Sequence, residues 1–178
     1  MNNKKSGEKR DGKHNYSGMK YSNTNIRRQD RLLNEESAKQ LLEAGEYAVL
    51  SMLAEDGSAY GIPINYVWDG NKSIYLHCAK EGRKLRSLDI NNKISFCVVG
   101  STNVISNKFT TEYQSIILEC TAIRNLKEKE RVEALHLILD KYSPKDKEVG
   151  KKYVKGALDK TEIIRLDIND WSGKCKTV

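Results

Sequence analysis

The side chains with the most chemical potential gather in the middle of the chain. Across Ser73–Ala79, strand alternation puts Ile74, Leu76 and Cys78 on one face and Tyr75, His77 and Ala79 on the other. The aliphatic set reads as core, which turns His77 toward a crevice, a subunit interface or plain solvent. An imidazole in a crevice can move protons near neutral pH. Next, Lys80-Glu81-Gly82-Arg83-Lys84-Leu85-Arg86 places three cations after a glycine at a strand-to-helix junction. A helix start offers free N–H groups and a positive field end, so Arg83, Lys84 and Arg86 could hold a phosphate there; a solvated basic turn has the same composition.

Three further clusters are candidates. In Gly61-Ile62-Pro63-Ile64-Asn65-Tyr66, the proline cannot donate to a strand ladder and marks an edge or a bulge. Gly61 lets a partner approach the backbone closely, and unpaired backbone groups there could bond the polar edge of a flat heterocycle. A simple edge strand explains the same residues. In Lys108-Phe109-Thr110-Thr111-Glu112-Tyr113-Gln114-Ser115, hydroxyls cluster where a loop enters a strand, with Tyr113 and Ser115 on one face. Trp171 follows the last expected strand and reads as packing on its own core or on a partner. Glycine-rich dinucleotide and P-loop turns, HExxH, GxSxG and EF-hand patterns are absent. With His14 near the N-terminus, a multi-histidine metal site would rest on His77 and His136 alone, so metal catalysis is not expected.

The elements that must position these residues are mostly strands. Asn34 caps a helix opening with Glu35 and Glu36, striped by Ala38, Leu41 and Leu42, and Gly45 ends it in a left-handed cap. Strands at 47–54, 59–68 and 73–79 follow, joined by Asp56-Gly57 and Asp69-Gly70 turns. A short helix at 83–90, a strand at 93–99, a polar loop at 101–111 and a strand at 112–125 come next. An amphipathic helix at 128–142 carries Val132, Leu135, Ile138 and Leu139 on one face. A weaker helix at 148–158 and a strand at 162–168 complete the pattern. Six meandering strands with helices at the edges favour a small closed barrel over a plain α+β sandwich.

The net charge of +7 suggests nucleic acid until it is divided. Residues 1–31 hold nine Lys/Arg against three acids, whereas residues 32–178 hold 22 against 21. The excess belongs to a basic tail over residues 1–25, expected to be disordered, and the body over 26–178 shows no nucleic-acid footprint. No apolar run is long enough to span a membrane, and no secretion signal is evident. Cys78, Cys97, Cys120 and Cys175 are far apart and unpaired by motif, which reads as buried free thiols in a reducing cytoplasm.

Taken in order, several segments resemble one family. Ile26-Arg27-Arg28-Gln29-Asp30-Arg31, Tyr60-Gly61-Ile62-Pro63-Ile64-Asn65-Tyr66, Tyr75-Leu76-His77-Cys78-Ala79, Glu81-Gly82-Arg83-Lys84-Leu85, Phe96-Cys97-Val98-Val99-Gly100, Lys108-Phe109-Thr110-Thr111 and Trp171-Ser172-Gly173-Lys174 match nitroimidazole-resistance (Nim) proteins. These are a branch of the pyridoxamine-phosphate-oxidase-like flavoproteins. The resemblance covers about residues 26–175 and implies a six-stranded antiparallel Greek-key split β-barrel. It implies a homodimer with flavin at the subunit interface, FMN being the usual cofactor and FAD accepted by some relatives.

By position, the resemblance lays the backbone of Ile62, Pro63, Ile64, Asn65 and Tyr66 along the isoalloxazine ring. His77, Cys78 and Ala79 would lie along the ring and ribityl chain, and Lys84 with Arg83 would hold the phosphate. Tyr113, Ser115 and Trp171 would close the site, Trp171 from either subunit. His77 resembles the family histidine beside the flavin, and the implied activity is flavin-dependent reduction of the nitro group of 5-nitroimidazole-type compounds. The alternatives are a pyridoxamine-phosphate oxidase, a non-catalytic flavin module for storage or sensing, and haem binding.

Overall fold

The computed structural model describes residues 19–178. Most of the expected basic tail, residues 1–18, lies outside the described residues. Residues 19–25, which the charge pattern groups with that tail, pack on the body. Lys20–Tyr21 (β1) pairs in parallel with the last strand, and the Tyr21 hydroxyl donates to the Leu33 carbonyl at 2.5 Å.

The remaining elements are α1 (Glu35–Ala44), β2 (Tyr47–Leu53), β3 (Ala59–Asn65), β4 (Val67–Trp68), β5 (Ser73–Ala79), α2 (Arg83–Ile90), β6 (Lys93–Ile105), β7 (Thr110–Ile123), α3 (Glu128–Tyr142), α4 (Lys147–Ala157) and β8 (Thr161–Lys176). No helix among the described residues is long and apolar enough to cross a membrane.

The eight strands form one mostly antiparallel sheet in the order β3-β2-β6-β7-β8-β5-β4, with β1 added at β8. The expected strand over 59–68 breaks at Tyr66. Its first part pairs with β2 and its last two residues pair with β5, so one residue joins the two edges of the sheet. The ladder therefore curls into a barrel that stays split between β3 and β5.

Inward-facing residues follow the pleat. Ala48, Leu50 and Met52 of β2, Phe96 and Val98 of β6, and Ile116 and Leu118 of β7 are buried, and Leu42 of α1 with Leu85 and Leu88 of α2 plug the ends. A second cluster lies on the outer face of β5 and β8, where α3 and α4 bring Ala134, Leu135 and Val154 onto Ile163. Arg165 fastens α3 there by bonding Glu130 and Asp167, both at 2.7 Å, and Tyr75 donates to Glu130 at 3.1 Å. Four charged or phenolic groups thus share one partly buried network.

Several sequence expectations change. There are eight strands, not six, because two of them are only two residues long. β6 continues to Ile105 through a bulge between Val99 and Thr102, so the expected loop over 101–111 is largely a projecting two-stranded arm. An arm with solvent on both faces needs no apolar alternation, which is why it read as loop. β8 runs to Lys176 rather than ending at residue 168, with Asn169 as an extra residue at its bulge, so Trp171 lies inside the strand.

Asn34 caps α1 as expected, accepting from the Ser37 N–H at 2.8 Å. Gly45 ends that helix in extended backbone (φ −61°, ψ 130°), not in a left-handed cap. It must be glycine for another reason: a Cβ would stand 2.6 Å from the Tyr66 hydroxyl and 2.7 Å from Val98 Cγ1. Gly45→Ala should therefore destabilise the chain by about 1–3 kcal/mol, the usual range for overpacking a tight site. Chemical unfolding checks this, and a variant as stable as the parent would show that α1 shifts away freely.

Candidate functional site

The split in the barrel is where the candidate residues meet. β3 has no strand on the side away from β2, and β5 has none beyond Tyr75 on the side away from β8. Backbone along Ile62, Pro63, Ile64 and Asn65 thus faces a gap whose other bank is His77, Cys78 and Ala79. Pro63 sits on a sheet edge, where a missing N–H costs nothing.

Gly82 closes the end of the gap. Its backbone (φ 140°) lies where side chains are strained, and it starts α2 with no side-chain cap. The first turn of α2 holds Arg83, Lys84 and Arg86 and no acid, cations stacked on the positive end of the helix. Each such placement is unfavourable by about 0.3–1 kcal/mol unless an anion answers it. Arg86 is answered by Glu55 at 2.9 Å, whereas the Arg83 guanidinium lies 4.3 Å above the Tyr60 ring of β3. No carboxylate among the described residues forms an ion pair with Arg83 or Lys84. Behind α2, Arg124 reaches the Leu85 carbonyl at 3.4 Å and also bonds Asp89, while its Nε lies 3.6 Å from the half-buried Glu162. That places Arg124 as the anchor that fixes α2 over the gap.

Lys84 stands between two groups of β5. Burial, and after it the Lys84 ammonium, push the His77 imidazole below its ordinary pKa, so it is neutral at pH 7. His77 is exposed on β5, although enough protein lies near it for burial to be the main cause of the shift. Burial pushes the Cys78 thiol up, with Lys84 opposing through charge and a hydrogen bond, so Cys78 stays protonated and is no nucleophile. On its outer side His77 borders a cavity of about 200 Å³ between α3 and α4, lined also by Leu139, Tyr142, Tyr153 and Val154.

The structure brings together residues 62–65, 77–79 and 83–84, and it does not bring together the rest. Tyr66 is fully buried. Its hydroxyl donates to the Leu42 carbonyl at 2.6 Å, its N–H donates to the Tyr142 hydroxyl at 3.0 Å, and that hydroxyl lies 2.7 Å from the Tyr66 carbonyl. The Tyr66 backbone expected to face a ring is thus taken by Tyr142. Trp171, expected to close the site, is 1% exposed and packs edge-on against Tyr21.

Tyr113 and Ser115 pair with Lys176 and Lys174 of β8, whereas His77 pairs with Ile163 of the same strand. Eleven to thirteen residues of strand, on the order of 40 Å, separate them from His77 within one chain. Tyr60, Arg124 and Tyr142 were missed. Tyr60 shares a face with Ile62 and Ile64 by alternation, which could have found it. Arg124 and Tyr142 are distant in sequence from the gap and carried no signal.

The family profile described as pyridoxamine 5'-phosphate oxidase matches residues 34–175. The chain belongs to the pyridoxamine 5'-phosphate oxidase family. That match spans every element from the Asn34 cap to nearly the end of β8. No protein of curated function matches the sequence.

Among solved structures of this fold, one from Bacteroides thetaiotaomicron is described as a candidate 5-nitroimidazole antibiotic resistance protein. It is 18% identical, with a TM-score of 0.70 over 82% of this chain and 86% of its own. An FAD and heme binding protein from Mycobacterium smegmatis is 19% identical, with a TM-score of 0.72 over 83% of this chain and 74% of its own. The flavocytochrome Anf3 from Azotobacter vinelandii is 21% identical, with a TM-score of 0.68 over 82% and 68%. At these identities the likeness establishes the family's split-barrel architecture.

The pairing of Lys84 with His77 can be checked without any ligand. Removing the ammonium in Lys84→Met deletes a positive neighbour that disfavours the imidazolium, so the His77 pKa should move upward, toward its ordinary value. Imidazole proton signals followed by NMR across pH 5–8 report it. An unchanged or lower pKa would separate Lys84 from the histidine.

Proposed function

We propose that this chain is a flavin-dependent oxidoreductase that reduces the nitro group of small 5-nitroimidazole-type compounds, working as a homodimer with FMN, or FAD, at the subunit interface. The observation that carries this is the convergence on one gap of a free strand edge, a neutral imidazole and an uncapped helix start whose Arg83 and Lys84 have no carboxylate partner among the described residues. Those residues fit a flavin phosphate and ring. Lys84, Arg83 and the first N–H groups of α2 suit a phosphate, and the edge backbone of residues 62–65 suits a planar heterocycle with polar groups along its rim. A bound flavin supplies hydride or single-electron transfer.

The chain's own part is orientation and proton supply. Taking a nitro group to an amine consumes three hydride equivalents and three protons and releases two waters. His77, neutral at rest, can donate its N–H to a nitro oxygen and pass protons from solvent through its open edge. Membership of the family and likeness to a candidate nitroimidazole resistance protein support this choice of substrate class.

The outer face of the sheet supports the dimer. In register across four strands, Pro63 lies beside Val49, Val49 beside Cys97, and Cys97 beside Ile117. Tyr47, Val99 and Ile117 are 61%, 57% and 48% exposed on that face. Such a contiguous apolar patch on a lone chain is the mark of an interaction surface. Because the row ends at Pro63 on the bank of the gap, a second copy seated there would reach the gap. Tyr113 and Ser115, on the same face as Ile117, would then be offered to the partner's site.

Incubation with FMN or FAD followed by desalting should leave yellow protein, and Lys84→Ala should retain less flavin than the parent. With reductant and 1,2-dimethyl-5-nitroimidazole, nitro absorbance should fall faster than with free flavin. His77→Ala should slow this about 100-fold while flavin content holds, within the usual range for a lost proton donor. A colourless chain, or no rate above free flavin, would overturn the reading. Ile117→Asp should convert the dimer to monomer in sedimentation and lower flavin retention with it; a parent chain that sediments as a monomer would remove the interface.

A further inference from the structure

The α3–α4 hairpin holds a cavity that the flavin reading does not use. The two helices touch at Gly150, where any Cβ would fall among the methyl groups of Leu139. Beside that contact about 200 Å³ lies between Leu135, Ile138, Leu139, Val154 and Ala157, lined also by Tyr142 and the largely exposed Tyr153. At roughly 30 Å³ per water, the space equals about six or seven waters, the size of one substituted ring and small for a ligand pocket. No carboxylate, ammonium or guanidinium lines it, and its single ionisable base is His77. A charged ligand would lose its hydration there without a counter-charge, so the chemistry favours an uncharged one. Phenol rings and branched aliphatics suit the faces of a flat ring, while His77, Ser143 and Thr161 offer polar contacts at the edge.

We propose that this cavity is the electron-acceptor subsite: an uncharged single-ring heteroaromatic compound seats between α3 and α4 with its polar substituent at His77. The α3–α4 hairpin, rather than the barrel, then sets which acceptors are used. The assignment of this ligand as an electron acceptor rests on the flavin reading above; the pocket itself does not.

The test titrates 1,2-dimethyl-5-nitroimidazole into the full chain, both FMN-loaded and flavin-free, following the methyl signals of Leu135, Ile138, Leu139 and Val154 by NMR and affinity by calorimetry. Those methyls should shift on titration. Leu139→Trp, which fills the cavity, should weaken affinity about tenfold, the loss typical of an overfilled site, with flavin content unchanged. The N-carboxymethyl analogue of the probe should also bind more weakly than the neutral compound. If the tryptophan variant unfolds, Ala157→Leu and the parent's methyl shifts decide instead. Methyls that stay put, or parent affinity in a folded, filled variant, would overturn the subsite. Methyl shifts in a chain that takes up no flavin would support the pocket while sinking the flavin reading, so the two fail separately.

Discussion

The fold turns on the single residue that carries the chain from one edge of the sheet to the other. At Tyr66 the backbone leaves β3 and enters β4, and ladder pairing stops on both sides. Its N–H and carbonyl would be orphaned in a buried place but for the Tyr142 hydroxyl, which serves both and also lies 2.5 Å from the Glu46 carbonyl. Each such bond contributes about 0.5–1.5 kcal/mol, and an unmet buried group costs about 1–3 kcal/mol, so the loss of Tyr142 exceeds the loss of one contact. The Tyr66 ring meets Phe96 edge-on and lies under the Lys141 ammonium at 4.0 Å, which also donates to the Gly45 carbonyl at 2.6 Å. Burial lowers that lysine to a pKa of about 8, against the pull of Glu43 and Glu46. The same crossing opens the split, because strands joined through one buried residue cannot also pair with each other at that point.

Around the split, local rules of stability are broken in one place. A helix start wants acids or a capping side chain, and α2 has neither; it has Gly82 and three cations. Burial lowers the basicity of His77 and raises the Cys78 thiol, and the Lys84 ammonium adds to the first shift while opposing the second. Only part of the strain is relieved within the chain, by Glu55 on Arg86 and Tyr60 beneath Arg83. Sequences tend to violate local preferences where function demands it, and this conflict falls on the bank of the gap. An anion of phosphate type would resolve it.

What could be read from the sequence follows from how local each signal is. α1, α2, α3 and α4 came out within a residue or so, because amphipathic spacing and the Asn34 cap are local. The faces of β5 are legible because Ile74 and Leu76 turn into the barrel core, whereas Tyr75 and His77 alternate to the outer side, where burial is only partial. The arm of β6 and β7 was hidden because solvent on both faces removes alternation, and β8 was cut short because the extra residue Asn169 breaks its period. Gly45 is not the left-handed cap that the sequence suggests; its need is a close approach to Tyr66 and Val98, which lie 21 and 53 positions away. Trp171 was set outside the last strand for the same reason that β8 was, and its burial against Tyr21 depends on a segment assigned to the tail.

The candidate cradle and the candidate acceptor wall differ in this respect as well. Within one chain, the residues assigned to the flavin ring and phosphate lie within residues 60–84, one run of strand, crossing, strand and helix start, so a linear motif carries nearly all of that half of the site. The wall that would choose the acceptor comes from residues 135–161 and meets the cradle at His77, at Tyr142 and where Thr161 pairs with Ala79. Tyr142 therefore couples the two parts: its hydroxyl fixes the crossing at Tyr66 while its ring borders the cavity. Changes elsewhere on α3 and α4 could reshape the cavity without touching the crossing, since the hairpin is separately tied to the barrel by Arg165, Glu130 and Tyr75. A fold built this way can keep one cofactor cradle and vary what reacts beside it.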